Sequence, residues 1–338
     1  MQTAPLQVPE SFQALRTHAI DGRIESRLER LTLDDLSAGE LVVRTRYAGV
    51  NYKDCLSLLG QAKIITSFPR IAGIELVGEV LTSSVEHFRP GQQVLVHGFQ
   101  TGIAFDGGFS EIVRVPQGHV HALPDGLSTL EAAVIGVPGF TAAMALERFE
   151  ELGITPQSGT VALSGAGGAV GLMALGIFAR AGWQVAAITR GTAKAEALRS
   201  AGAAEVIDAA VLEQPQRALE KPRFSAAIDN VGGAMLSWLL RSMQDGGCVA
   251  SVGNAAGNTF EGSVLPFIMR RVQLFGIVAN APWPQRERLW ARLASDLKPD
   301  FSKLLPLTRC IRLDELMAHG ALQLKGMTSG RVLVAFGD

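Results

Sequence analysis

The stretch VALSGAGGAVGLMAL at residues 161–175 decides the fold that we predict for this chain. Gly165, Gly168 and Gly171 lie where a short apolar strand should end and a helix should begin. Counted from Ala166, the spacing AxGxxG is a dinucleotide-binding fingerprint with its first glycine replaced. Glycines there allow a tight turn and a close approach of backbone N–H groups to a pyrophosphate. The stretch predicts a nucleotide-binding βαβ unit; the alternative is a glycine-rich turn that serves helix packing alone.

Strands and helices alternate on the C-terminal side of this stretch. Short apolar strands alternating with helices are typical of a parallel sheet that is covered on both faces. We predict a doubly wound sheet in a domain of residues 132–279, whose further strands are QVAAITR (184–190), EVID (205–208), FSAAIDNVG (224–232), GGCVASVG (246–253) and, at the end of the domain, RRVQLFGIVAN (270–280).

The N-terminal part has a different texture. Residues 38–50 alternate apolar and polar side chains, and further strand-like runs follow at 73–82, 92–98 and 109–116, separated by Gly and Pro. The run RVLVAF (331–336) is again strand-like, and we expect it to return to this part of the chain. The prediction is therefore a β-rich domain made of residues 1–131 and 280–338.

Composition excludes several classes of protein. The chain has 338 residues and a formal net charge of −1, so no broad basic field favours nucleic acid or a membrane surface. The three cysteines are far apart in sequence and form no CxxC pair, which argues against a zinc knuckle and a disulfide framework. The N-terminus lacks the pattern of a signal peptide, and no uncharged apolar segment approaches a membrane span. We expect a cytoplasmic protein.

The second strand of the predicted sheet ends in Thr189, Arg190 and Gly191, with Lys194 close behind. In this fold a carboxylate about 20 residues after the glycines usually binds the adenosine ribose. A guanidinium in its place can pair with a 2′-phosphate, and a threonine hydroxyl can add a hydrogen bond. The pattern favours NADPH over NADH, the alternative being a solvated helix start.

Two motifs of the N-terminal part, GVNYKD (49–54) and GIE (73–75), resemble landmarks of the medium-chain dehydrogenase/reductase superfamily. Zinc alcohol dehydrogenases carry GxCxxD and GHE at these places, and the Cys and His bind catalytic zinc. Here the two positions hold Asn51 and Ile74, which are unsuited to zinc, so we predict no metal site. Together with GVPGFTAAMAL, LSGAGGAVG and LPFIMRRVQLFGI, the motifs resemble the zinc-free, quinone-oxidoreductase-like acrylyl-CoA reductase group over nearly the whole chain.

The resemblance implies a GroES-like β-rich domain, a Rossmann domain, a cleft between them and a homodimer. It implies that Tyr52 lies near the nicotinamide and that a pyrophosphate loop is formed by Gly167, Gly168, Ala169 and Val170. Residues 189–191 fall where the group has a short Ser-Gly-Arg run for the 2′-phosphate. Asn254 and Ile268 fall at further places that line the cofactor.

These features favour an NADPH-dependent oxidoreductase that adds hydride to the β-carbon of a short 2-enoyl thioester such as acrylyl-CoA. Tyr52 is the first candidate to bind or protonate the carbonyl oxygen, although it could equally pack against the nicotinamide. Asn51 is the second candidate, although an asparagine before a helix is often an N-cap. The alternatives are a quinone or enone reductase without a requirement for CoA, and a non-catalytic NADPH-binding sensor.

A CoA substrate also needs basic groups for its phosphates. The sequence offers five: Lys53, Lys63, Arg70, Arg270 and Arg271.

Overall fold

Strands dominate the first part of the chain in the computed structural model, which describes residues 7–191 and 193–337. In chain order this part contains β1 (Phe12–Ile20), β2 (Arg23–Leu31), β3 (Leu41–Gly49), α1 (Tyr52–Leu58), β4 (Arg70–Ile71), β5 (Glu75–Ser83), β6 (Gln93–His97), β7 (Ile112–Val115) and β8 (Val120–Ala122).

The middle of the chain alternates helices and strands, as predicted. Its elements are α2 (Thr129–Glu151), β9 (Thr160–Leu163), α3 (Ala169–Arg180), β10 (Val185–Thr189), α4 (Ala195–Ser200), β11 (Glu205–Asp208), β12 (Phe224–Asp229), α5 (Gly233–Ser242), β13 (Met243–Ser251), α6 (Leu265–Arg270), β14 (Gln273–Gly276), α7 (Trp283–Leu293) and α8 (Phe301–Leu304). The chain then closes with β15 (Thr308–Ile311), α9 (Leu316–Leu324) and β16 (Arg331–Ala335).

These elements form two compact units, Met1–Val137 with Thr308–Asp338, and Pro138–Leu307. The first unit contains the three-stranded sheet β2-β1-β4 and a larger sheet of order β15-β16-β3-β5-β6-β8, in which β7 also pairs with β3. Strand β16 runs antiparallel to β3, with Leu333 opposite Gly49. The final strand therefore returns to the N-terminal β-rich part, as the sequence predicted.

The second unit is built on one parallel sheet of order β11-β10-β9-β12-β13-β14. This is the order of a doubly wound nucleotide-binding sheet, and it confirms the predicted fold class. All five residues of β10 and all six of β12 are buried, because helices cover both faces of the central strands.

Helix α2 changes direction at Gly136, whose φ of 45° and ψ of −154° are not helical, and Pro138 follows two residues later. It is long and apolar enough to cross a membrane by length and composition, which the sequence analysis did not expect. However, 72% of its apolar window is buried inside the structure. This burial is typical of the core helix of a soluble protein.

The two units differ from the predicted domain boundaries in two segments. Residues 132–137 lie in the first unit, and Gly136 interrupts the helix next to this boundary. Residues 280–307 lie in the second unit rather than in the β-rich one. Trp290 of α7 is 1% exposed and stacks near Phe140, at 6.2 Å between ring centroids, so the apolar face of α7 is buried in the second unit.

Candidate active site

The glycine loop joins β9 to α3 at the carboxyl edge of the parallel sheet. Gly165 has a φ of 59°, which favours glycine. A Cβ on Gly171 would lie 2.5 Å from the carbonyl oxygen of Gly165, so only glycine lets the helix pack this closely against the loop. The Ala166 N–H donates to the Ile188 carbonyl at 3.0 Å, which ties the loop to β10. The loop has the strand-to-helix context that the sequence predicted.

The N-terminus of α3 presents backbone N–H groups beside this loop. Gly168 is its N-cap, and the first hydrogen bond of the helix runs from Leu172 N–H to the Gly168 carbonyl at 2.9 Å. The N–H groups of Ala169, Val170 and Gly171 precede that bond and therefore have no partner within the helix. Such groups, together with the helix dipole, are favourable for binding an anion.

The end of β10 lies next to the loop. A Cβ on Gly167 would lie 3.4 Å from Lys194 Cδ, 3.7 Å from Lys194 Nζ and 3.8 Å from Thr189 Oγ1. The structure therefore brings Gly167, Thr189 and Lys194 together. Arg190 follows β10 and is exposed, and Gly191 donates its N–H to Asp208 Oδ1 at 3.2 Å. Of the predicted 2′-phosphate site, Thr189 and Lys194 therefore lie beside the loop, and Arg190 directly follows Thr189 in the chain.

Asn254 and Ile268 have different surroundings. Asn254 follows β13, its Cα lies 3.5 Å from where a Cβ on Gly232 would be, and its amide hydrogen-bonds Asn258. Gly232 is the N-cap of α5, so Asn254 lies at the same carboxyl edge as the glycine loop. Ile268 lies on α6 and is 67% exposed, within an apolar segment that also exposes Val264 and Met269.

Sequence reasoning missed the polar contacts that support the loop. Asp229 is fully buried at the end of β12 and accepts hydrogen bonds from Ser164 Oγ at 2.6 Å and the Gly232 N–H at 2.8 Å. Burial raises the pKa of this carboxyl, although these donors act to lower it. Asn230 donates its side-chain amide to the Ser164 carbonyl at 2.8 Å. A signal existed in the sequence, since Ser164 and Asp229 end two apolar strands.

In the first unit, Asn51, Tyr52 and Asp54 form the start of α1. Asn51 is the N-cap, and Asp54 completes a capping box by accepting the Asn51 N–H at 2.9 Å. Tyr52 is the first helical residue and is 36% exposed. The N-cap role that the sequence analysis weighed for Asn51 is the one the structure shows.

A buried ion pair, which sequence reasoning also missed, lies beside this helix start. Arg331 of β16 is fully buried, and its Nη2 donates to Glu75 Oε1 at 2.8 Å. The same carboxylate oxygen accepts Asn51 Nδ2 at 2.7 Å, and Oε2 accepts the Val137 N–H at 2.6 Å. The motif GIE singled out Glu75, but nothing in the sequence indicated its partners.

Burial gives two groups of α1 unusual acidities. It raises the pKa of Asp54 from 3.8 to about 7, against the opposing effect of the Asn51 N–H and with a further contribution from the charge of Glu75. Burial also raises the pKa of Cys55 to about 12. Cys55 therefore remains a thiol at neutral pH, which makes a nucleophilic role unfavourable.

Two histidines of the first unit, His97 and His119, pack within it. His119 stacks on Phe99 at 5.0 Å and meets the edge of Phe105 at 4.8 Å, while His97 is buried at the end of β6. In residues 7–191 and 193–337, no group of three or more His, Cys, Asp or Glu side chains is arranged to hold a metal ion.

Comparison with known proteins agrees with this geometry. Residues 37–125 match the family described as "Alcohol dehydrogenase GroES-like domain", and residues 169–295 match the one described as "Zinc-binding dehydrogenase". The acrylyl-CoA reductase AcuI of Ruegeria pomeroyi is 38% identical over 93% of this chain and 95% of its own length.

Two solved structures share the fold over almost the whole chain. The structure of Escherichia coli YhdH with bound NADPH has a TM-score of 0.91 and 35% identity, and covers 96% of this chain and 100% of its own. The structure of Bacillus subtilis YhfP with NAD bound has a TM-score of 0.90 and 35% identity, and covers 97% and 100%.

Proposed function

This chain belongs to the medium-chain dehydrogenase/reductase superfamily, and from that membership we propose that it is an NADPH-dependent enzyme that reduces the carbon–carbon double bond of a short 2-enoyl thioester. The observation that carries the proposal is the glycine loop at the N-terminus of α3, with Thr189 and Lys194 beside it. The substrate class follows the acrylyl-CoA reductase of R. pomeroyi, which is 38% identical.

The residues of the loop fit a dinucleotide. Gly167 and Gly168 carry no side chain that would keep a pyrophosphate away, and the N–H groups of Ala169 and Val170 have no partner within the helix. Thr189, Arg190, Gly191 and Lys194 would hold the adenosine 2′-phosphate, for which a cationic pocket is favourable. Asn254 would line the cofactor at the same sheet edge, and Ile268 would contact it from α6.

NADPH, when bound, supplies the hydride that adds to the β-carbon of the substrate. Negative charge then develops on the thioester carbonyl oxygen, and a hydrogen-bond donor must stabilise it. We assign this donor to the Tyr52 hydroxyl, because Tyr52 is an exposed residue at the start of α1. Asn51 is the N-cap of α1, and its side-chain amide nitrogen already donates to Glu75. We therefore assign Asn51 to holding the start of the helix and not to binding the substrate. The α-carbon takes its proton from Tyr52 or from solvent.

The contacts of the basic residues indicate which of them could bind the phosphates of CoA. Of the five basic residues that the sequence offered, Arg70 pairs with Asp106 at 3.1 Å and Arg271 pairs with Asp245. Arg270 donates to the carbonyls of Arg241, Met243 and Glu220. Lys53 and Lys63, both exposed, are therefore the residues that we propose for the phosphates of CoA.

A second candidate function is reduction of a quinone or enone without CoA. It is favoured because only Lys53 and Lys63, of the five basic residues considered, are left to bind the phosphates of a CoA substrate. A relative from B. subtilis, 36% identical over 96% of this chain, is provisionally named a quinone oxidoreductase. A non-catalytic NADPH sensor is the third possibility, against which the exposed Tyr52 argues.

We further propose a cytoplasmic homodimer. Strand β14 ends the parallel sheet and pairs only with β13 among the described strands, so its other edge offers unpaired backbone groups. The segment around it exposes Val264, Met269 and Val278 by 63–73%. A second copy of the chain would cover this surface, as symmetric dimers do.

The experiment that tests the function is NADPH oxidation, followed spectrophotometrically, with acrylyl-CoA, crotonyl-CoA, methyl vinyl ketone and a benzoquinone. We expect turnover with the two thioesters. Turnover with the quinone or ketone alone would favour the second candidate. Tight NADPH binding with no turnover of any substrate would favour the sensor.

A further inference from the structure

The Glu75 carboxylate accepts three hydrogen bonds inside the first unit. Its Oε1 accepts Asn51 Nδ2 at 2.7 Å and Arg331 Nη2 at 2.8 Å, and its Oε2 accepts the Val137 N–H at 2.6 Å. Glu75 is 4% exposed and Arg331 is fully buried. The carboxylate therefore joins three separate parts of the chain: the start of α1, strand β16 and the residue after Gly136.

Two glycines leave the space that this arrangement needs. A Cβ on Gly49 would lie 2.2 Å from both Arg331 Nη2 and Glu75 Oε1. A Cβ on Gly136 would lie 2.1 Å from Glu75 Oε2 and 2.4 Å from Arg331 Nη2. The unusual backbone of Gly136, with its positive φ, places the Val137 N–H within reach of the carboxylate.

We propose that Glu75 is a positioning residue, which orients Tyr52 by holding Asn51 and fixes the peptide at Val137 where the chain leaves the first unit. Asn51 is the N-cap next to Tyr52, so a displaced Asn51 rotates the first turn of α1 and moves the phenol. The proposal rests on the role that we proposed for Tyr52, and it adds a residue that does not itself touch substrate.

The hydrogen bonds to the Glu75 carboxylate determine which variants test the proposal. All three groups that hydrogen-bond to the carboxylate are donors. In Glu75→Gln one carboxylate oxygen becomes an NH₂ group, which is itself a donor and cannot accept from them. Glu75→Asp keeps the charge, but its shorter side chain reaches only part of the cluster. Glu147→Gln is a matched control, because Glu147 is 7% exposed and also accepts from an amide, of Gln285, and a guanidinium, of Arg288.

The chain has only two tyrosines, Tyr47 and Tyr52. Labelling with 3-fluorotyrosine therefore gives two ¹⁹F NMR resonances, and Tyr52→Phe assigns them. We expect Glu75→Gln to shift or broaden the Tyr52 resonance and to lower kcat by about 10-fold to 100-fold, with the Kd for NADPH changed by less than about two-fold. Glu147→Gln should leave the Tyr52 resonance unchanged. If Glu75→Gln does not fold, Glu75→Asp carries the same measurements.

The proposal is overturned if the folded Glu75 variant keeps the wild-type Tyr52 resonance, or if its kcat falls no further than that of Glu147→Gln. The proposed function fails in a different way, when the wild-type protein reduces no thioester. In that case the fluorine resonance alone decides whether Glu75 positions Tyr52.

Discussion

Arg190 is the residue at which cofactor choice can be tested. It is exposed directly after β10, and Thr189 and Lys194 lie beside Gly167. We expect Arg190→Ala to raise the KM for NADPH about 10-fold or more, through loss of a charge-assisted pair with the 2′-phosphate, and to change the KM for NADH little. Arg199→Ala removes an exposed cation from the following helix and serves as the control. Equal changes in both KM values would show that Arg190 does not bind the phosphate.

Tyr52 is the residue to which we assign transition-state stabilisation. Tyr52→Phe removes only the hydroxyl, so we expect kcat for acrylyl-CoA to fall by about 10²-fold, the usual effect of removing one such donor. The Kd for NADPH should stay the same, because the dinucleotide loop is built from other residues. Tyr47→Phe changes the other tyrosine of the chain and is the control. A Tyr52→Phe enzyme with wild-type kcat would leave Tyr52 with a packing role.

The site residues differ in how far the sequence could predict them. The glycines at 165, 168 and 171 and the N-cap Asn51 act through local chain geometry, so their spacing alone predicts them. Glu75 and Arg331 are 256 positions apart, and no local pattern connects them. The buried pair depends on β16 returning beside β3, which places Arg331 near Gly49. Such pairs follow from the fold and not from any motif.

Helix α3 contains two glycines that the structure distinguishes. A Cβ on Gly171 would meet rigid backbone at 2.5 Å, whereas one on Gly176 would meet the Leu304 and Pro299 side chains at 3.2 Å. We expect Gly171→Ala to weaken NADPH binding by about 10-fold or more, because the helix N-terminus must move away from the loop. Gly176→Ala should change binding by less than about two-fold, since side chains can adjust. Fluorescence titration with NADPH measures both, and similar losses would contradict the assigned role of Gly171.

The buried strands could be predicted from the sequence, whereas the exposed hairpin could not. The buried strands β9, β10 and β12 are short apolar runs, and their predicted positions are confirmed. The hairpin β1–β2 was not predicted. Strand β2, RIESRLERL, is mostly exposed and rich in charged residues, so its composition does not indicate a strand. It is held by pairing along its whole length with β1.

The boundary between the two units also could not be read from the sequence. Helix α7 is amphipathic in sequence, but the sequence does not say which unit its apolar face covers. In the structure that face includes Leu289, Trp290 and Leu293, and Trp290 packs near Phe140. Tertiary packing therefore assigned residues 280–307 to the second unit.

For the whole molecule, the exposed apolar segment beside β14 predicts the oligomeric state. We expect light scattering after size-exclusion chromatography to give twice the chain mass of 35.9 kDa. Val278→Asp should shift the mass toward that of a single chain, because a charge buried in an interface is unfavourable. Met327→Asp changes another exposed side chain, in the first unit, and should leave the mass unchanged. A monomeric wild-type protein would remove the homodimer from the proposal.

The pH dependence of stability is the last property that the structure predicts for the whole molecule. Burial raises the pKa of Asp54 to about 7, whereas the carboxyl of the unfolded chain has a pKa of 3.8. Between these values the folded protein holds a proton that the unfolded chain has lost, so the free energy of unfolding decreases as the pH rises. The contribution is complete below pH 3.8 and lost above about pH 7. The loss is at most about 4 kcal/mol.

Chemical denaturation of the wild type and of Asp54→Asn at pH 5 and pH 8 measures this contribution. The variant carries a neutral side chain at both pH values, so Asp54 no longer contributes to its pH dependence. We therefore expect the wild type to lose more stability than Asp54→Asn between pH 5 and pH 8. Titrating groups far from Asp54 act on both proteins and cancel in the comparison. Parallel losses in the two proteins would mean that Asp54 is ionised throughout this range, held by its N–H donors from Asn51 and Ile74.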